Sequence, residues 1–582
     1  MRRRLLVLVG LSLSSAFAGI GAASALAAER CVGPGPGCFS TLQGAVHAAQ
    51  DGDTIRVGAG KFAGGVTIDK SVEVIGAGQR ATVLKGGGPV VTVGSFGAER
   101  EPTVSIRDLT ITGGQTTSSS ESLPFSGQEG VLATGGGIDI PPGAPIDEAG
   151  NLGPGATLTL TRTSITDNRV APSSTAPFGP PCPGDEPCPF ALAAGGGINS
   201  WGVLTIVDST ISGNRVGSAS GLSTLASDAD GGAVFSVLGS VTITRSRITD
   251  NRASATGPNG RFAEGGAVFA EGDGFMMRDS VVSGNSSSLA SALPKDVEQV
   301  ANSGGIHITS AVQVAGIDRS IITRNSVRAT NTVGDATAFV GGVEVDSFVD
   351  FAMNDSVVSN NDASAATSGR SAGLAHADTG GGQLVGTMER TRVRGNSVRA
   401  ESGGGDSEAF AGGLWAQFGD VRDSELSDNQ LIATSATGSA TVRGGGALVD
   451  SDPEADKGGL TLTGTVVRGN SAEAIGPNTI GQGGGIFDAR VSDNGPFGGP
   501  LALISSSITH NVLRGRARGT LQGGGLYLAD QPLTQTDSVF AHNKPDQCFG
   551  CTASSSAAPS RRSAAPRESR SGDDAVAHLS RR

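Results

Sequence analysis

Side chains able to do chemistry are sparse in this chain, and most of them are acidic. Asp228 and Asp230 stand two apart in SDAD, and Asp450, Asp452, Glu454 and Asp456 crowd into DSDPEAD. Calcium takes six to eight oxygens from convergent groups, so either cluster needs ligands from elsewhere to hold an ion. Both fall in stretches that read as loops. The expectation is solvated acidic loops, with calcium the one ion they could accept and no other cofactor. His510 and His542 each precede an asparagine, Asn511 and Asn543. Two imidazoles make a poor metal site without further ligands, so a tolerant turn position is expected. His47 and His307 show no partner in the sequence. Trp201, Trp415 and Tyr527 follow glycine runs; each could stack on a sugar, but packing at a repeat position is the simpler expectation. No catalytic, cofactor-binding or metal-binding set is assigned.

Six cysteines fall in three close pairs: Cys31 and Cys38, Cys182 and Cys188, Cys548 and Cys551. All six are disulfide candidates for an exported chain, although spacing does not fix their connectivity. Cys548-Phe549-Gly550-Cys551 also has redox spacing, a weak signal outside a thioredoxin-like context.

What must position these residues is a repeat. The phrase GGGINSWGVLTIVDSTISGNRV at 195–216 returns as GGAVFSVLGSVTITRSRITDNRA and GGAVFAEGDGFMMRDSVVSGNSS. Its S-x-[I/V]-x-x-N element places asparagine at Asn168, Asn214, Asn251, Asn285, Asn325, Asn361, Asn396, Asn429, Asn470, Asn511 and Asn543, 32 to 46 residues apart. Within a copy, Leu204, Ile206 and Ile211 are apolar positions in short Val-, Ile- and Thr-rich runs, which argues for strands. Three short strands per copy cannot make a core alone but can when stacked. The pattern predicts an all-β fold: a single right-handed parallel β-helix, with the asparagines as a structural corner ladder and Gly-Gly supplying a tight corner. A coil needs only about twenty-odd residues by this grammar. The excess, in stretches such as VGSASGLSTLASDAD and SVRATNTVGDATAF, is expected to be loop on one face. Roughly 13 coils at about 4.8 Å predict a rod on the order of 60 Å long.

The ends differ from the middle. Residues 1–27 read as a signal peptide: Arg2, Arg3 and Arg4, an apolar run, and Ala25-Leu26-Ala27. Residues 28–53 form an N-terminal cap, whose Leu42, Ala45, Val46 and Ala49 have helical spacing behind Ser40 or Thr41 as N-cap. Residues 54–551 are the β-helix, and the Ser-, Ala-, Arg- and Pro-rich residues 552–582 are expected to be a disordered tail. After signal removal no run is long and apolar enough for a transmembrane segment. The formal net charge of −12 argues against nucleic acid as a partner.

TLQGAVHAAQDGDTIRVGAGKF followed by VTIDKSVEVIGAG resembles the opening coils of pectin-lyase-like proteins. The GG[AGI][IV]…[IV]xxN repeats resemble those of polymorphic outer membrane proteins and, more closely, of secreted bacterial β-helix repeat proteins. The resemblance covers about residues 38–551. It implies a fold rather than an activity, because this architecture hosts many functions. The membrane proteins' C-terminal barrel has no counterpart in the polar tail. The NxD, DD, GHG and RxK set of the family's hydrolases has no ordered match, since Asp573-Asp574 in the tail is the sole Asp-Asp. The expectation is a secreted, non-catalytic solenoid scaffold, adhesin-like, presenting loops to a surface glycan or protein. The alternative is a secreted carbohydrate-active enzyme, a polysaccharide lyase or hydrolase.

Overall fold

The computed structural model describes residues 27–551 except 118–129, 148–149, 173–189, 218–225, 258–259, 296, 298, 310–311, 347–349, 370–372, 451–458, 490–499, 517 and 530–531. The signal peptide up to residue 26, the tail 552–582, Cys182, Cys188, Asp452, Glu454 and Asp456 therefore lie outside the described residues.

One coil shows how the repeat folds. Ile198–Ser200, Leu204–Val207 and Thr210–Ser212 are three successive strands. Each pairs in parallel with its counterpart in the next coil, Ile198 beside Val234, Leu204 beside Val241 and Ile211 beside Ile248. Ile198, Leu204, Ile206 and Ile211 point inward and are buried. Repetition of that pattern builds one continuous aliphatic core from Val32 to Leu528. The chain is a parallel β-helix. Its third-strand sheet contains fourteen strands, so thirteen steps of about 4.8 Å make the rod about 60 Å long.

Where they are described, the segments expected to be loops are largely strands. After each asparagine from Asn168 to Asn511 the chain runs into a fourth strand, Arg215–Gly217 in this coil, and returns along a fifth, Ala226–Asp230. Each of these forms its own eleven-stranded sheet. The two sheets enclose a second core made largely of alanine, with Val216, Ala229, Ala255, Ala263, Val327, Ala329, Ala336 and Ala338 among its members. Composition misleads here because alanine, serine and threonine are common in loops. A small side chain at every second position nevertheless fills a narrow gap between two stacked sheets, and register with neighbouring coils supplies the hydrogen bonds. In cross-section each of these eleven coils has a wide aliphatic lobe and a thin alanine fin.

The two lobes meet at a waist that explains the repeated phrase. Leaving the fin, Gly195 takes a φ of +66°, a left-handed turn that glycine adopts without strain. A Cβ on Gly196 would sit 2.9 Å from the backbone of Arg215, and one on Gly197 would sit 2.6 Å from the Ala233 carbonyl oxygen. Facing the glycines is the asparagine column. The Asn214 Oδ1 accepts from both the backbone N–H and the Nδ2 of Asn168, at 3.1 and 2.9 Å. Asn214 Nδ2 donates in turn to Asn251 Oδ1 at 2.9 Å and to the Ile165 carbonyl at 3.0 Å. The same side-chain bond, between 2.9 and 3.1 Å, links all eleven asparagines from Asn168 to Asn543. Beyond Asn543, Gln547 Oε1 accepts from its N–H and its Nδ2.

Two further columns run beside it. Ser209 Oγ accepts from the Thr163 N–H and donates to the Val207 carbonyl, and equivalent hydroxyls repeat this through Ser538. At the neighbouring turn Asp108, Asp208, Asp279 and Asp355 each receive two hydrogen bonds from an arginine of the next coil: Arg162, Arg245, Arg319 and Arg390. All eight have φ between 45° and 59°. These pairs are solvent-exposed on the arginine side, so screening leaves each a small contribution.

At the N-terminal end, helix Leu42–Ala48 covers the first coils by burying Leu42, Ala45 and Val46. Thr41 caps it by accepting from the Gly44 N–H, and Lys70 Nζ donates to the carbonyls of Val46, His47 and Ala49 at its end. Cys31 and Cys38 form a disulfide beside it, and Cys548 and Cys551 form one in the last coil.

Two substitutions test the waist. Asn325→Ala removes the acceptor for the Asn285 backbone N–H and Nδ2, and Asn285→Ala does the same to Asn251. Each is expected to destabilise by about 1–3 kcal/mol, the cost of leaving a buried donor unmet. An unchanged denaturant midpoint for both would exclude the column as a source of stability. Gly413→Ala places a Cβ 2.6 Å from the Gly446 carbonyl oxygen and 2.7 Å from Asn429 Nδ2, and overpacking of this kind costs about 1–3 kcal/mol. Gly217→Ala, with none of the described residues within 4 Å of the added carbon, is expected to leave the midpoint in place.

Candidate functional site

Because the fifth strand turns back into the first through glycine, their outer faces meet at an inside angle and line a groove along the rod. One wall is the middle residue of each first strand. Asp139, Asn199, Phe235, Phe269, His307 and Glu344 stack in register. Farther along the same wall come Gln383, Trp415, Leu448, Phe487, Tyr527 and Phe549. The other wall is the end of each fifth strand. It runs Thr134, Ala194, Asp230 and Glu264, then Asp378, Phe410, Arg443, Gln482 and Gln522.

The groove is divided by chemistry. Phe235 and Phe269 stack with centroids 5.0 Å apart, and Phe269 meets His307 edge-on at 5.2 Å. Around His307 lie Glu264, Glu344 and Asp346, with Asp228, Asp230 and Glu271 beyond them. The His307 ring is buried, and its nearest carboxylate oxygens are 3.5 Å away on Asp346, 3.7 Å on Glu264 and 4.0 Å on Glu344. Burial opposes its charge, yet Glu344, Asp346 and Glu264 push the imidazole up to about 10. Burial raises Glu344 and Asp228 to about 7 each, and Glu264 adds repulsion at Asp228.

Two coils on, His376 lies between two carboxylates, with Nε2 2.8 Å from Asp378 Oδ2 and Nδ1 3.2 Å from Glu408 Oε2. Burial works against its charge, but Asp378 and Glu408 push it up to about 10. A general base works best with a pKa near the operating pH; an imidazolium donating through both nitrogens cannot take a proton. Past this cluster the groove turns aromatic. Arg443 lies over Phe410 and Phe487 at 5.1 and 5.5 Å. Phe487, Tyr527 and Phe549 stack at 5.3 and 5.1 Å.

These positions revise several expectations. Asp228 and Asp230 belong to a strand rather than a loop, and Asp230 is buried; the serine- and alanine-rich sequence before them concealed it. His307 does have partners, supplied by neighbouring coils rather than neighbours in sequence. Asp450 directly follows the strand Ala447–Val449. His510 and His542 sit at equivalent turns with φ of 58°, their rings 4.8 Å apart. Among the described residues they are not part of any three-ligand cluster. Trp201 packs against the Phe235 cluster and Trp415 against the Phe410 cluster.

No protein-family profile matches the sequence, and no curated protein sequence does. Among solved structures it is similar to the A-module of the Azotobacter vinelandii mannuronan C-5 epimerase AlgE4, at 14% identity and a TM-score of 0.30, over 84% of this chain and 93% of that one. The AlgE6 A-module of the same organism matches at 12% and 0.27 over 84% and 93%. PfbA, a surface adhesin of Streptococcus pneumoniae, matches at 9% and 0.23 over 86% and 87%. Likeness this low transfers no activity. The β-helix is established by the strand pairing itself.

His376 provides a test of the groove's state. Its raised pKa stabilises the fold fully below the unfolded value of about 6.5, and that contribution is lost as the pH rises through about 10. Its imidazole proton resonance is therefore expected to hold still between pH 6 and about 8.5. A midpoint near 6.5 would show that the two carboxylates do not hold it. His376→Ala, which leaves Asp378 buried without its partner, is expected to cost about 3–5 kcal/mol.

Proposed function

We propose that the protein is a secreted, non-catalytic solenoid scaffold that binds surface glycan or protein through its outer sheets, in the manner of an adhesin. One observation carries this reading: the groove that could cradle a substrate is filled by the chain's own side chains. Phe235, Phe269, His307, Glu344, Leu448 and Phe487 all lie buried on its first wall, so a sugar cannot stack on them. His376, the group best placed for acid–base work, is committed to an internal ion pair.

Accessible surfaces include the outer faces of the third and fourth strands. Thr110, Thr112, Ser164, Thr166, Thr210 and Ser212 form registered hydroxyl columns on one. Arg169, Arg215 and Arg252 form an exposed basic column on the other. In this reading the outer sheet faces present the binding surface that the sequence assigned to loops. The disulfides support an oxidising location, and among the described residues no helix is long and apolar enough to cross a membrane.

The second reading, a carbohydrate-active enzyme, is favoured by the carboxylates and histidines gathered in the groove. Mature protein incubated with acidic and neutral polysaccharides, with and without calcium, separates the two. The expected outcome is co-sedimentation with at least one polymer and no change in polymer size. Shortening of a polymer would overturn the proposal in favour of the enzyme, and neither effect would move the search to protein partners.

A further inference from the structure

The His307 cluster carries an inference independent of what the outer sheets bind. His307 is the middle residue of Ile306–Ile308, Glu344 is its register partner in Val343–Val345 of the next coil, and Asp346 follows that strand directly. Among the described residues neither nitrogen of the buried His307 ring has a hydrogen-bond partner, nor has the buried Glu344 Oε2. Most buried polar atoms in proteins are satisfied, and separations of 3.5 to 4.0 Å lie at or beyond the limit of a hydrogen bond. They suit something else. Ligands bound to a metal through bonds of about 2.0–2.2 Å lie roughly 3–4 Å from one another. One ligand atom from each of His307, Glu344 and Asp346 falls within a 4.8 Å group, the single such trio among the described residues.

We propose that His307, Glu344 and Asp346 bind one divalent transition-metal ion of the zinc class. A nitrogen donor joined to carboxylates suits zinc and its first-row neighbours, whereas calcium seeks six to eight oxygens. The setting resembles a built site. Two ligands stand on paired strands of the rigid stack, the edge of Phe269 abuts the imidazole, and Asn302 Nδ2 donates to Glu264 Oε1 at 3.0 Å. Buried Asp230 and Glu344, with Asp228 and Glu264 nearby, concentrate negative charge that a dication offsets. Asp346 keeps 38% of its side chain exposed, which gives the ion an entry and leaves room for water in the remaining positions.

The test uses the mature chain stripped of metal with a chelator and titrated with Co2+ as a visible probe. Wild type is expected to take up one Co2+ with ligand-field absorption, to lose it to Zn2+, and to keep it in millimolar Ca2+. Asp346→Asn and His307→Gln, checked for folding by circular dichroism, are expected to weaken Co2+ binding about tenfold or more. A variant with both His510→Ala and His542→Ala is expected to bind like wild type. If His307→Gln does not fold, the half-exposed Asp346→Asn decides. The proposal fails if wild type binds no Co2+, if Ca2+ displaces it, if folded Asp346→Asn binds unchanged, or if the His510/His542 variant loses the ion.

Discussion

Everything in this molecule depends on the chain passing itself at the waist of each coil. Two backbone segments approach so closely that a single Cβ on Gly196 would collide with the backbone of Arg215. At such a crossing backbone groups cannot reach water, so their hydrogen-bonding capacity must be met internally. The asparagine side chain does this: its oxygen takes two donors from one neighbouring coil, while its amide donates to the other and back to a carbonyl of the first. Glycine makes the approach sterically allowed, and asparagine makes it electrostatically tolerable. Neither works without the other, which is why the two recur together through so many coils of otherwise divergent sequence.

The waist also decides what the groove can be. A sharp glycine turn brings two outer strand faces together, so side chains that would otherwise meet solvent cover one another. Such positions accept aromatic stacks, as at Phe235 and Phe269, or charged groups that answer one another, as at His376. The groove is therefore a third buried layer, formed outside the two cores yet sealed from most of the solvent. Carboxylates and imidazoles gathered there are evidence first of how the solenoid closes on itself.

The primary lobe was legible in the sequence because Leu204, Ile206 and Ile211 obey period two and the asparagines keep their place. The fin was not. Runs such as RASAT and SVRATN carry the same alternation with alanine and valine in place of leucine and isoleucine, and small residues register as loop when judged by composition. The groove was hidden for a different reason. Its members occupy one position after each glycine pair, as in GGAVF, GGIHI and GGVEV, and their meaning emerges only when successive copies are aligned. Read singly, His307 has no partner; read as a column, it faces Phe269 on one side and Glu344 on the other. The positive-φ Asp and Arg alternation escaped because arginine is a poor signal for a left-handed turn.

The asparagine column has a direction. Each amide donates toward the C-terminal end and accepts from the N-terminal side, so the last member would offer two unmet donors at the open face of the final coil. Gln547 meets both from the same chain, occupying the place a twelfth asparagine would take. A solenoid that repeats one hydrogen-bonding pattern coil after coil is a template for adding another molecule end to end. Gln547 takes up the column's last donors from within, and helix Leu42–Ala48 covers the opposite end. The column thus ends on a group of its own chain rather than on one borrowed from a neighbouring molecule.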